Sequence, residues 1–365
     1  TDGFAVGRLV LFGNANQLEF DLLSTIIRDY YPDAFERIPL MRPLVDAFVL
    51  PPEERPRGAT GMRYTPPPPR PDAPPLPADA AARLRDGLFR VVDAPTARFA
   101  SNNWALDGRH TADGRPLIAG DPHQGLTSPM LFFMQHLDSA HAGGAFDGAG
   151  FSFVGTPAVQ LGHNAHVAWT ATTTYPDISD LWEVRANAEA VSLGGETIPL
   201  VTREETVRVA GGAPVTITIE EVPGHGVLLP PDLSPVPITR PGRRLLYGWV
   251  GTRVTREASS FLAIDRARSL EDFEAAVDTL ELGCFNFVAA SREGITYRSA
   301  MLVPDRGPGA LTRAHWAMLD GDDAASLWTG ALLDPSLLPR SRGGARGWLA
   351  SANNDPFGFT ASGTT

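Results

Sequence analysis

The chain contains no lysine: all 31 basic residues among its 365 are arginine. That absence excludes a lysine nucleophile and a phosphate loop closed by Gly-Lys-Ser/Thr. It reads as a genomic codon bias rather than as an arginine cluster. A single cysteine, Cys284, means that no internal disulfide can form and no cysteine-based zinc site can be built. Redox compartment is therefore left open. No apolar run approaches the roughly 18 residues that a spanning helix requires, so a membrane is not an expected partner. Positive charge is also scarce in the aggregate, with 42 acidic residues and a net charge of -11. Nucleic acid needs a clustered basic surface, and none is visible. Two common hydrolase signatures, G-x-S-x-G and H-E-x-x-H, are missing as well.

What is present is ordinary globular material, 43% hydrophobic and 20% charged, enough to bury a substantial core as one large or two modest domains. Near the start, Leu9 to Phe12 form a short apolar strand pattern. An Asn-rich turn follows, and then Leu22, Leu23, Ile26 and Ile27 recur at helical spacing. Pro51 to Pro77 is so dense in proline that it can neither continue a helix nor donate to a ladder, which predicts an extended, exposed connector. A short helix is predicted from Ala80 to Arg85. From Ser101 onward, strands dominate: 115–119, 154–161, 166–173, 206–209, 215–222 and 285–290 are apolar or β-branched runs separated by Gly, Pro, Asn and Asp. Helical patterns return at 259–266 and 269–280, the latter opened by a capping Ser269. Many strands with few helices predict an α+β layered domain, without internal repeats.

Three motifs carry chemistry. The first is Ser101-Asn102-Asn103-Trp104, preceded by Phe99-Ala100. A serine hydroxyl needs a base within hydrogen-bond reach, and a cut just before Ser101 would supply one in the same residue, because a free α-amino group titrates near 8. Alone, the tetrapeptide reads more readily as a polar turn ahead of a core tryptophan. The second motif is Gly120-Asp121-Pro122-His123, and the third is Ala352-Asn353-Asn354-Asp355-Pro356. Between them lies Gly162-His163-Asn164-Ala165-His166-Val167-Ala168-Trp169, whose two histidines lack the third ligand of a zinc site and read as a structural turn.

In this order and spacing, with Phe285-Asn286-Phe287-Val288 further on, the motifs resemble the penicillin acylase family of N-terminal-nucleophile hydrolases, over residues 9 to 30 and 98 to 358. The resemblance implies a four-layer αββα core. It implies a cleavage site between Ala100 and Ser101. Residues 1–64 would then be the end of a mostly helical α chain, 65–100 a Pro-rich spacer, and 101–365 the start of the catalytic β chain, the two chains staying together as a heterodimer. Ser101 is the implied nucleophile on a small-molecule N-acyl amide. His123, like its counterpart in the cephalosporin, lactone and lipopeptide (aculeacin-type) acylases, would orient the serine hydroxyl and amine. Asn353, with Asn354 as the competing assignment, and the backbone N–H of Thr173 would hold the oxyanion. Gln124, Leu161 and Phe285 would line the acyl pocket beside Trp104. A calcium ion is implied at Asp177, Ser179 and Asp180, with Glu19 reaching it from the other chain; the family's last ligand is unmatched, Thr364 standing near its place. No organic cofactor is implied, and the location would be periplasmic or secreted. Family members run considerably longer at both ends. Two rivals stay open: an unprocessed binding protein on the same scaffold, and a calcium-stabilised structural module.

Overall fold

The computed structural model describes residues 17–33, 48–55, 68–80, 82–83, 100–124, 128, 130–156, 158–174, 176–231, 233–234, 236–308, 315–354 and 356. Helix α1 spans Leu18–Tyr30. Strands β1 (Ala100–Leu106) and β2 (Leu117–His123) form a hairpin. Next come β3 (Phe132–Asp138), β4 (Asp147–Phe153), β5 (Leu161–Asn164) and β6 (Val167–Thr173). A meander follows: β7 (Ser179–Ala186), β8 (Ala190–Leu193), β9 (Glu196–Pro199), β10 (Val201–Val207), β11 (Val215–Val222), β12 (Gly226–Leu228) and β13 (Arg243–Trp249). Helices α2 (Glu257–Asp265) and α3 (Leu270–Val277) precede β14 (Phe285–Ser291) and β15 (Gly294–Ala300). Three short strands close the described part: β16 (Leu319–Asp320), β17 (Arg340–Ser341) and β18 (Trp348–Ser351).

The strands make three sheets. One has three strands in the order β18-β1-β2, one has seven in the order β17-β15-β14-β6-β5-β4-β3, and the third is the eight-stranded sheet centred on β7 and β13. Strand β14 shows why the layers stack. Its seven residues FNFVAAS are buried almost throughout, the signature of a strand covered on both faces. Phe285, Phe287 and Ala289 point to one side, where Phe261 of α2 and Phe273 of α3 pack. Ring centroids there lie 6.5 Å (Phe261–Phe285), 6.0 Å (Phe273–Phe287) and 5.7 Å (Phe285–Phe287) apart, in edge-to-face contacts. Val288 and Ala290 point the other way, into a cluster with Ala105 of β1 and Leu349 of β18. Helices, seven-stranded sheet and three-stranded sheet are therefore three successive layers of an α+β fold. The outer face of the three-stranded sheet carries a partly exposed Trp104, and no helix among the described residues covers it.

Close approach of the two sheets depends on one glycine. A Cβ at Gly120 of β2 would stand 1.8 Å from Thr170 Oγ1 of β6, so only glycine lets the sheets meet there.

Several sequence expectations shift. The stretch predicted as a strand over 154–161 instead begins just past the end of β4, turns at Gly155 with φ +84°, and reaches β5 only at Leu161. Ser269 caps α3 as predicted, its Oγ accepting from the Asp272 N–H at 3.0 Å. The proline-rich stretch is no free spacer where it is described. Arg70 donates to Asp29 of α1 at 2.8 Å, and the Tyr30 hydroxyl donates to the Pro74 carbonyl at 2.6 Å. Burial pushes the Asp29 carboxyl up, but hydrogen bonds from Arg28 and Arg70 prevail and hold it below the usual carboxylate range. The strand pattern at 9–12 lies outside the described residues, as do 81, 84 and 85 of the predicted 80–85 helix, while Ala80, Ala82 and Arg83 are helical.

Candidate active site

Ser101 sits second on β1 and faces inward, 5% exposed, because alternation along the strand turns Ala100 and Asn102 outward. Its hydroxyl donates to the Ala100 carbonyl at 2.6 Å, so the oxygen lies beside the very peptide group that precedes it. Its backbone N–H donates to Asn353 Oδ1 at 2.6 Å. The same asparagine donates from Nδ2 to the Thr173 carbonyl at 2.6 Å. Three residues expected together from the sequence are thus joined in one chain of hydrogen bonds. Asn353 adopts φ +63°, a left-handed conformation that asparagine tolerates better than most residues. β18 delivers it: Ser351, two residues earlier, pairs with Asn103 of β1, and its hydroxyl meets Thr172 Oγ1 of β6 at 2.9 Å. The competing Asn354 turns back instead and accepts from the Ala352 N–H at 2.9 Å. Thr173 takes part through its carbonyl oxygen, whereas the expectation concerned its N–H.

A cavity opens beside the serine. Ser101, Gln124, Leu161, Thr173 and Phe285 all line it, together with Phe132, Phe153, Gln160, Ala171 and Phe287. The three predicted pocket residues therefore share one cavity with the predicted nucleophile. Trp104 does not belong to it and lies on the outer face of β1. The cavity's phenylalanines come from three strands of one sheet, Phe132 from β3, Phe153 from β4, and Phe285 and Phe287 from β14, a convergence that no local sequence signal announces.

Two expectations need correction. His123 pairs with Ala100 across the β1–β2 ladder, one register position from Ser101, so its side chain leaves from the opposite face. There its Nε2 meets Asp121 Oδ2 at 3.0 Å and Asn102 Nδ2 at 3.4 Å, and it does not touch the serine of the intact chain. Glu19 lies on the exposed side of α1; two residues on, and about 200° around the helix, Asp21 is the one that is fully buried. Asp21 shares its corner with Asp177 and Asp180. Burial first, and then those two neighbours, push its carboxyl well above the usual carboxylate range.

Arg306 lies among the acids of the expected calcium set. Arg306 Nε donates to Asp180 Oδ2 at 2.8 Å, and its Nη2 donates to Asp177 Oδ1 at 2.9 Å and to the Asp177 carbonyl at 3.1 Å. Trp328 Nε1 takes the Asp180 carboxylate as well. Ser179 Oγ accepts from the Gln17 N–H at 3.2 Å, tying the start of α1 to the start of β7. Among the described residues, no three acids, histidines or cysteines converge with metal-binding geometry. The sequence held no signal that Arg306, 126 residues beyond Asp180, would close this corner.

The family model for penicillin amidase matches residues 2–364. The chain belongs to the penicillin amidase family. Among curated proteins it is 28% identical over 268 residues to the acyl-homoserine lactone acylase QuiP of Pseudomonas aeruginosa, covering 70% of this chain and 30% of that protein. It is 34% identical over 174 residues to the penicillin acylase 2 proenzyme of a Pseudomonas species, covering 45% of this chain and 22% of that one. The chain thus spans about a third or less of the curated relatives it matches. In fold it is similar to the thermostable penicillin G acylase of Alcaligenes faecalis, with a TM-score of 0.59 and 22% identity over 70% of this chain and 44% of that one. Membership in the family accords with the α+β layering.

Proposed function

We propose that this chain carries the core of a self-processing acylase that hydrolyses the amide bond of small N-acyl compounds. The observation that carries the proposal is the placement of Ser101: its hydroxyl lies against the Ala100 carbonyl, its N–H is held by Asn353, and its side opens on an apolar cavity. Processing begins when Oγ attacks the Ala100 carbonyl carbon. The C–N bond to Ser101 breaks, the hydroxyl proton passes to the departing nitrogen, and an ester forms. Water then hydrolyses that ester, leaving a carboxylate on Ala100 and a free amine on Ser101.

With its amine free, Ser101 acts on substrate by the same logic. The amine accepts the Oγ proton as the oxygen attacks the acyl carbon, and returns it to the leaving amine. The acyl-enzyme ester then yields to water. Asn353 uses one Nδ2 proton on the Thr173 carbonyl and has a second for the oxyanion, the role that sets the barrier most strongly. The apolar lining favours a hydrophobic acyl group. The names of the relatives offer acyl-homoserine lactones and penicillins as the substrate classes to try. In this proposal the tie between α1 and β7 is the Gln17–Ser179 hydrogen bond, and Arg306 holds Asp177 and Asp180 together beside it.

The test is denaturing mass spectrometry of the full-length protein combined with a hydrolysis panel over both classes. Two chains divided between Ala100 and Ser101 are expected, with turnover of at least one N-acyl amide. Ser101→Ala should remain a single chain and turn over nothing. Hydrolysis by that variant would sink the mechanism, and an uncut, inactive wild-type protein would favour the binding-protein rival.

A further inference from the structure

One polar side chain lies in the apolar part of the cavity. Gln160 precedes β5, is 3% exposed and lines the pocket among Phe132, Phe153, Leu161, Phe285 and Phe287. Its amide orientation is fixed by chemistry. Oε1 accepts from the Phe153 N–H at 2.7 Å, and a backbone N–H can only donate, so the oxygen must face Phe153. The Thr156 hydroxyl, 3.2 Å away, occupies the same oxygen. Nε2 is thereby turned the other way, and among the described residues its protons meet no acceptor. Gln124 differs, since it is only half-buried and water can satisfy it.

We propose that Gln160 makes the acyl pocket selective for acyl chains bearing an oxygen acceptor, such as an oxo group or an ether oxygen, which its Nε2–H binds. The proposal rests on the acylase function above and names the substrate class for that site. An all-carbon chain fills the cavity but leaves a buried donor unpaired, whereas an oxygen at the right position satisfies it. Sites built to hydrogen-bond a substrate atom discriminate against the analogue lacking that atom far better than apolar walls discriminate by size.

The experiment uses the full-length protein and a series of N-acyl p-nitroanilides of equal chain length: an all-carbon parent, and analogues with one CH2 replaced by oxygen at each successive position. One position should raise kcat/KM about tenfold over the parent, the size of a single neutral hydrogen bond gained in a buried site. Gln160→Glu retains an oxygen for the Phe153 N–H and removes the donor; it should abolish or invert the preference. Gln160→Met, which keeps the volume, should level the series, read as the ratio of each analogue to the parent within that variant, and it carries the comparison if the glutamate variant does not fold. Wild-type rates independent of oxygen position, or a preference that survives in Gln160→Met, would overturn the assignment while leaving the acylase standing. If no anilide is hydrolysed and the chain is uncut, the acylase proposal falls and this one with it.

Discussion

Asn353 shows how much one residue is asked to do. It faces the Ser101 N–H with its oxygen and the Thr173 carbonyl with its nitrogen, and it does so from a left-handed backbone. Replacing it with glycine keeps the backbone free to adopt that conformation while deleting the amide. Asn353→Gly should therefore cut kcat/KM by about 10²–10³-fold, the usual cost of an oxyanion donor, with little change in melting temperature. Turnover undiminished in a folded Asn353→Gly protein would remove Asn353 from the mechanism. At this scale the sequence was informative where a motif fixed both residue type and place, as for Ser101 and Asn353. It misled where the outcome depended on which face of a strand a side chain leaves: His123 is one register position from the serine and so points away from it. Gln160 could not be read in advance at all, since the direction of its amide depends on the Phe153 N–H across a turn.

Among the elements, β14 was the most legible, because FNFVAAS is apolar on both alternating faces and so had to lie between two layers. The 154–161 stretch was misjudged for the opposite reason: Gly155 with its positive φ breaks an otherwise apolar run. The corner between α1 and β7 was legible only in part. The acids were visible, but the helix phase put Asp21 inside instead of Glu19, and Arg306 came from far along the chain. A guanidinium that bridges two buried carboxylates cannot be lost cheaply, since its removal strands their charge. Arg306→Met is expected to lower stability by about 3–5 kcal/mol, measured by chemical denaturation. A strong calcium chelator should leave the melting temperature of the wild-type protein unchanged; a clear drop would restore the metal to this corner.

For the molecule as a whole, the pH dependence of stability has an identifiable contributor. Asp265, at the end of α2, accepts from the Val159 N–H at 3.0 Å with one oxygen, and burial pushes its carboxyl up to about 7. An unfolded aspartate titrates near 3.9, so between about pH 4 and 7 the folded chain holds the proton and the unfolded chain does not. Stability from this group is then highest in acid and falls as pH rises through that window, by up to about 4 kcal/mol at roughly 1.4 kcal/mol per pKa unit. Asp265→Asn keeps an oxygen for Val159 and should flatten that fall. Melting temperatures measured from pH 4 to 8 on both proteins decide it, and parallel curves would refute the assignment.

The bond between Ser101 and Asn353 joins positions 252 residues apart. During synthesis, the serine leaves the ribosome long before the asparagine that must clasp it, and β18 cannot add to the hairpin until nearly everything between has found its place. If the chain cuts itself as proposed, that cut would be a maturation checkpoint: a truncated or misassembled chain would keep its Ala100–Ser101 peptide, and with it stay inert. The severed bond would then serve as a lasting record that the distant end of the domain has docked.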